Sequence, residues 1–289
     1  EIMGKDRNSY SKTDLEATFM RMKEDHMQNG QLKAAYNVQI AVENYFIVHS
    51  YVSNDRTDYN TLIPVLEKHR SAFGDTLETV TADSGYCSEK NLLYLKENRI
   101  RSFIKLQDHE KRKTRAYKED IGKYYNMTYA VFEDEHYYIC HDGRELRHIR
   151  TESKEQDGYT QTVEVYGCMD CSGCEHKAQC IYRYNAQKNP DRNKVMKINE
   201  RWEELKEESN TNIQSEEGIL KRQTRSIQTE GHFGDIKENE SFRRFNYRSE
   251  EKVYKEFMLY AMGRNIMKYH RFLQHEIEKY EGKKGQKTA

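Results

Sequence analysis

The sequence predicts a mixed α/β fold, and three observations predict it. The first hundred or so residues alternate short apolar strands with helical periods, in the order strand, strand, helix, strand, helix, strand. Residues 108–200 then break that pattern with aromatic, hairpin-like pieces and a run of cysteines. Helical periodicity returns near Glu216 and continues almost to the end. The expected organisation is therefore residues 1–107 and 216–289 as the two parts of one core, interrupted by a mostly β subdomain over 108–215.

Each element has a local reason. Residues 13–29 open on Thr13, Asp14 and Glu16, a cap-like start that predicts a short helix or ordered arm. Ala35–Glu43 and Tyr45–Ser53 show apolar alternation through Val38, Ile40, Val42, Phe46 and Val48, with Glu43-Asn44 as the turn of a hairpin. Leu62, Val65 and Leu66 give Asp58–Arg70 a helical period that ends near Phe73-Gly74. Thr79–Ala82 is a short buried strand leading into Asp83. Leu92, Leu93 and Leu95 mark a helix over Ser88–Asn98, and Arg101–Leu106 reads as a further strand. Tyr129–Phe132, Tyr137–Cys140 and Tyr159–Tyr166 read as hairpin strands, their tyrosines filling sheet faces rather than stacking on bases. Ile219, Leu220, Ile227, Phe233 and Ile236 carry the helical period from Glu216, and Val253, Phe257, Tyr260, Ala261 and Ile266 carry a last helix over about Glu250–Tyr280.

Composition bounds the function. The chain has 289 residues, 33% of them charged, with 22 Tyr, 10 Phe and 10 Met left to build a core. Only 2 Pro and no Gly/Ser tract argue against a disordered linker. No apolar run approaches the ~18 residues of a membrane span, and no secretory signal is visible, so a cytoplasmic location is expected. The chain opens Glu-Ile-Met-Gly-Lys, which reads as mid-protein sequence and predicts an incomplete N-terminus. Formal net charge is zero, but Arg101–Lys118 holds seven Lys/Arg against two acids, and Glu200–Glu217 holds seven Glu against two basic residues. Segregated charge permits a phosphate-binding face on a neutral protein.

Three constellations carry chemistry. Asp83 in Thr-Ala-Asp-Ser-Gly-Tyr ends an apolar strand, where α/β sheets place ligands, although Asp-Ser-Gly is also ordinary turn chemistry. Glu230 in Thr-Glu-Gly-His-Phe-Gly-Asp-Ile-Lys reads as mid-helix, with Lys237 on the same face two turns later. Gly231 and Gly234, poor helix residues, mark a place for close backbone approach. Cys168, Cys171, Cys174 and Cys180, with Cys140 as a further candidate, have spacing that suits a structural zinc site, with His176 as an alternative ligand. Reduced metal-free cysteines and an iron–sulfur cluster stay open as readings.

Together with Tyr-Asn-Val-Gln-Ile-Ala-Val-Glu (36–43) and Phe-Arg-Arg-Phe (242–245), these motifs resemble the DDE transposases of bacterial insertion sequences. The closer resemblance is to a branch, related to the Tyr-Arg-Glu-Lys signature group, with a cysteine-bearing insertion between the second and third acids. It spans about Thr13 to Arg271. The resemblance implies an RNase H-like α/β fold and Mg²⁺-dependent DNA cleavage and strand transfer, with Mn²⁺ able to substitute. It makes Asp83 the second metal-holding acid, Glu230 the third, and Lys237 a phosphate contact. The signature's tyrosine and arginine fall at Gln223 and Ser226, which do not match. Arg222, about 80° round a helix from Glu230, is the preferred substitute, with Arg225, Arg243 and Arg244 as further DNA contacts. No residue before 35 has the context of the first acid. Asp14, Asp55 and Asp58 lack it, so that acid is expected upstream of Glu1. Implied partners are the element's terminal repeats and target DNA, bound by a homodimer in the bacterial nucleoid. The alternatives are a DNA-binding remnant without catalysis and a zinc-stabilised interaction module.

Overall fold

The computed structural model describes residues 9–21, 30–156, 158–242 and 244–287. The chain divides into two compact units, residues 1–104 with 213–289, and residues 105–212.

In the first unit, β1 (Thr18–Arg21) pairs antiparallel with β2 (Leu32–Ala35). The stretch 13–29, expected as a short helix or ordered arm, forms no helix among its described residues: residues 18–21 are strand, and residues 22–29 lie outside the described residues. Thr18 and Phe19 favour extended backbone, and the partner strand satisfies their peptide groups. The acids read as local caps do cap a helix, but a distant one. Asp14 Oδ2 accepts from the Ser249 N–H (3.2 Å) and Glu16 Oε2 from the Glu250 N–H (2.6 Å).

Strands β3 (Asn37–Glu43) and β4 (Phe46–Ser53) form an antiparallel hairpin. Its turn is Asn44-Tyr45, one residue later than the sequence indicated, with both φ values positive (48° and 69°) as a two-residue primed turn needs. Helix α1 (Leu62–Phe73) buries Leu62, Val65 and Leu66 and stops at Gly74, whose φ of 73° suits a residue without Cβ. Strand β5 (Thr79–Ala82) runs parallel to β6 (Arg101–Ile104), with α2 (Glu89–Glu97) as the crossover. Ser88 caps α2 by accepting the Asn91 N–H (3.2 Å).

The second unit contains α3 (His109–Arg112), α4 (Arg115–Lys118) and an antiparallel sheet of β7 (Thr128–Phe132), β8 (Glu135–Ile139), β9 (Glu145–Gln156), β10 (Tyr159–Cys168) and β11 (Val195–Ile198). The strand order is β11-β10-β9-β8-β7. Met127, Tyr138, Leu146, Tyr166, Cys168, Met196 and Ile198 form one core cluster. Tyr138 meets Tyr166 edge-on at 5.1 Å, so these tyrosines fill a sheet face. Helix α5 (Lys177–Cys180) ends at the last cysteine, and α6 (Glu200–Gln214) follows β11. The helical period was expected only from Glu216, because α6 presents few apolar residues. Its buried positions are Leu205, Ile213 and the polar Ser209.

Back in the first unit, α7 (Glu216–Arg225) is capped by Ser215, whose Oγ accepts the Gly218 N–H (3.0 Å). It lies against β5 and β6. Lys221 Nζ donates to Thr79 Oγ1 (3.0 Å), and Arg101 grips Glu217 through two bonds of 2.9 and 2.8 Å. Two π-helical segments, Ser226–Glu230 and Asp235–Asn239, flank α8 (Gly231–Gly234). The last helix, α9 (Glu250–Lys287), buries Val253, Phe257 and Ala261 and packs on β4. Burying the first two side chains stabilises by about 2 kcal/mol each. Asn265 holds both backbone groups of Ile47, accepting its N–H at 3.0 Å and donating to its carbonyl at 2.8 Å. Arg264 ties the helix to the π-helical region through Asp235 (3.2 Å), Glu240 and His232.

Candidate active site

Asp83 stands at the C-terminal end of β5, exposed, and opens the turn Ser84–Tyr86. Its Oδ1 accepts the Gly85 N–H at 2.8 Å. Beside it lies Asp58, a residue the sequence offered without the right context. A Cβ placed on Gly85 would sit 2.8 Å from Asp58 Oδ2 and 2.9 Å from Asp83 Oδ1, so the two carboxylates flank one glycine. Asp58 is held in that pose from behind. Its Oδ1 accepts from Asn37 Nδ2 (2.7 Å) and Gln39 Nε2 (2.8 Å), both on β3. Tyr86 donates its hydroxyl to Gln39 Oε1 and so joins the end of β5 to the middle of β3. Burial, then the negative fields of Asp58 and Asp83, push the Tyr86 phenol well above its usual range, while Arg225 opposes the shift.

Glu230 is exposed and ends the first π-helical segment, which packs against β3. Its Oε1 accepts from Arg225 Nη2 (2.7 Å) and its Oε2 from Ser226 Oγ (3.0 Å). Arg225, not the preferred Arg222, is therefore the arginine paired with the glutamate. Arg222 Nε is buried without a hydrogen-bond partner. The reason is the helix type. An i→i+5 turn takes up an extra residue, so angles counted at α-helical pitch misplace 222 and 225 relative to 230. The same correction applies to Glu230 and Lys237, which lie in separate π-helical segments rather than two turns apart on one α-helix. Nothing lies within 4 Å of a Cβ built on Gly231 or Gly234, so both glycines face open space. Arg244 is exposed, and Arg243 lies outside the described residues.

The structure thus brings Asp58 to Asp83 and pairs Glu230 with Arg225. Among the described residues no three His, Cys, Asp or Glu side chains converge on a metal-sized site. The signal for Asp58 is not its own context but Gly85, a glycine at ordinary φ that only a close approach explains.

Residues 139–270 match the family model described as a transposase DDE domain. This stretch is similar to the DDE transposases. The matched range takes in the cysteines, Glu230 and Lys237, and leaves Asp58 and Asp83 outside it. No match to the chain was found among curated proteins or solved structures. No helix of the chain, among the described residues, is long and apolar enough to cross a membrane.

In the second unit, Cys140 sits in the β8–β9 turn, Cys168 ends β10, and Cys171, Cys174 and Cys180 follow in the next loop and α5. All are free thiols. Burial first, then its neighbour Cys171, pushes the Cys168 thiol up to about 11. Burial also raises Cys174 and Cys180. Cys171 Sγ accepts the Lys194 N–H (3.4 Å), and Lys194 Nζ donates to the carbonyls of Gly122 (2.6 Å) and Cys180 (2.7 Å). The donor set suits zinc chemically, but the sulfurs are not gathered to ligand distance.

Proposed function

We propose that the protein is an insertion-sequence transposase that cuts and rejoins DNA strands with divalent metal, Asp83 and Glu230 being two of its metal-holding acids. The observation that carries this reading is the apposition of Asp58 and Asp83 around Gly85 at a parallel strand's end, with the Glu230 segment packed on the adjoining β3. The carboxylate oxygens of Asp58 and Asp83 suit Mg²⁺ or Mn²⁺, while the third acid stands apart, held by Arg225 and Ser226. When bound, such ions activate water or a DNA 3′-hydroxyl and stabilise the leaving oxygen. The chain's own part is positioning. Asn37 and Gln39 hold Asp58, the Gly85 N–H holds Asp83, and Lys237, Arg222, Arg225 and Arg244 face phosphates, which orients DNA without reading its sequence.

An RNase H-like core accounts for the sheet pattern. The β3–β4 hairpin and the parallel β5–β6 pair are read as two parts of one mixed sheet, with the place of a further strand between β3 and β5. That strand is where the resemblance puts the first acid. Residues 105–212 then form the insertion between the second and third acids, and a structural zinc held by four of its five cysteines would draw the loop after β10 onto the β8–β9 turn. Paired element ends, target DNA and a homodimer in the nucleoid complete the reading.

The test is Mn²⁺-dependent nicking of DNA carrying the element's ends, by this chain and by a chain extended upstream. Loss of nicking in both Asp83→Asn and Glu230→Gln is expected, and undiminished nicking in either variant sinks the assignment. A catalytically incomplete DNA-binding protein is the second reading, favoured by the lack of three converging acids among the described residues.

A further inference from the structure

Both carboxylate oxygens of Glu230 are already engaged. Oε1 accepts from Arg225 Nη2 (2.7 Å) and Oε2 from Ser226 Oγ (3.0 Å), so a metal ion must compete for either. Arg225 spends one of the five N–H donors of its guanidinium on this bond. The two side chains are 22 and 59% exposed, and an ion pair so open to water is weak and screened by salt. A DNA phosphate offers the same guanidinium two acceptor oxygens, which its planar fork matches in bidentate geometry. Exchange of carboxylate for phosphate on Arg225 therefore favours DNA.

The pairing depends on the helix type. At 100° per residue, positions 225 and 230 stand about 140° apart, and only the π-helical turn Ser226–Glu230 brings residues five apart together. That turn packs on β3, whose Asn37 and Gln39 hold Asp58. Arg225 also lies near enough to the acid pair for its charge to act on Tyr86 together with those of Asp58 and Asp83. One guanidinium thus neighbours all three acids.

We infer that Arg225 is a DNA-operated latch on Glu230: in the free chain it competes with metal for the glutamate, and a DNA phosphate that takes the guanidinium releases the carboxylate to join Asp58 and Asp83. This role presupposes that Asp83 and Glu230 hold metal. Metal alone opens the latch too, at higher concentration. Release also removes the contact that favours the π-helical turn, and a return to α-helical pitch swings residue 230 round the helix axis. DNA and metal then raise each other's affinity, as reciprocal coupling requires. A latched Glu230 accounts for the lack of three converging acids among the described residues without removing Glu230 from the site.

Mn²⁺ titration by electron paramagnetic resonance, on the full chain without DNA, tests the latch. Arg225→Met should bind Mn²⁺ about fivefold more tightly than the wild type, the scale of an exposed ion pair. The gain should vanish when Glu230→Gln is also present, whereas a general effect of the lost charge would persist there. A purely structural role for Arg225 would weaken Mn²⁺ binding instead. Fluorescence anisotropy with a duplex of arbitrary sequence, in chelator, reads the other side of the exchange, because phosphate contacts carry no sequence. Glu230→Gln should tighten duplex binding about fivefold in the wild-type background and not in Arg225→Met. Circular dichroism checks that helix content is kept, and Arg225→Gln replaces Arg225→Met if the latter unfolds. Unchanged or weaker Mn²⁺ binding in the folded arginine variant overturns the latch, as does a gain in either titration that survives in the double variant. Mn²⁺ binding that Asp83→Asn leaves intact overturns the reading of the acidic site itself, and the latch with it.

Discussion

Replacing Gly85 by alanine is the smallest change that reaches the acidic pair. The added Cβ would stand 2.8 Å from Asp58 Oδ2 and 2.9 Å from Asp83 Oδ1, where ordinary contact begins near 3.4 Å. Each oxygen must therefore retreat by about half an ångström, or the turn must move. Neither retreat is free. Asp58 is fixed by two hydrogen bonds from Asn37 and Gln39, and Asp83 by the Gly85 N–H itself. Hydrogen bonds to charged groups contribute about 1.5–3 kcal/mol, so straining or breaking one places the loss near 2 kcal/mol. Over a unit of this size that lowers Tm by about 4–8 °C. Misplacing a metal-holding oxygen on this scale should also weaken Mn²⁺ binding and slow nicking by at least about tenfold. Calorimetry and Mn²⁺ titration by electron paramagnetic resonance read the two effects. An alanine variant with wild-type Tm and wild-type Mn²⁺ affinity would refute the idea that Gly85 is there to let two carboxylates approach.

Further outcomes follow from other contacts. Asn265→Ala strips the Ile47 peptide of both partners and should destabilise by about 2–4 kcal/mol in urea unfolding, since two backbone groups lose their bonds under α9. Burial holds the His232 imidazole below its usual pKa, with its Nε2 on the Tyr45 carbonyl, and burial lowers His49 likewise. Both groups fold neutral while the unfolded chain takes up protons below its ordinary pKa near 6.5. Stability is therefore full above about pH 7 and is lost as pH falls through the depressed folded values. His232→Gln should flatten part of that loss in melting curves between about pH 7 and pH 5. Elemental analysis of protein purified without chelator should find about one zinc per chain, lost in Cys171→Ser and Cys174→Ser together with a lower melting temperature. Zinc retained by both variants would remove those two residues from the site.

Much of this was legible in the sequence, for reasons that differ by element. The β3–β4 hairpin showed because Val38, Ile40, Val42, Phe46 and Val48 alternate, and strict alternation puts every second side chain on one face only in an extended strand. Asp83 stood out because it ends a short apolar strand. The acidic helix α6 did not show, since its buried stripe includes Ser209 and holds only a few apolar residues. The strand at Thr18–Arg21 was hidden by a capping signal that serves α9, more than two hundred residues away. Asp58 is not legible locally because its place beside Asp83 depends on Asn37, Gln39 and a small residue at 85, a relation between segments rather than within one. Arg225 rather than Arg222 meets Glu230 because the region widens to π-helix, which sequence spacing alone does not reveal.

Whether Asp83 and Glu230 serve one metal site with Asp58 beside it can be read from cleavage of the polypeptide by bound iron. Fe²⁺ substituted for Mg²⁺ in the presence of ascorbate and peroxide generates radicals that cut the backbone nearest the ion, and mass spectrometry locates the cuts. Cuts are expected around residues 56–59, 83–86 and 226–231, suppressed by excess Mg²⁺ and lost together in Asp83→Asn. Cuts at 56–59 and 83–86 without any at 226–231, or cuts confined to other acids, would contradict a shared site.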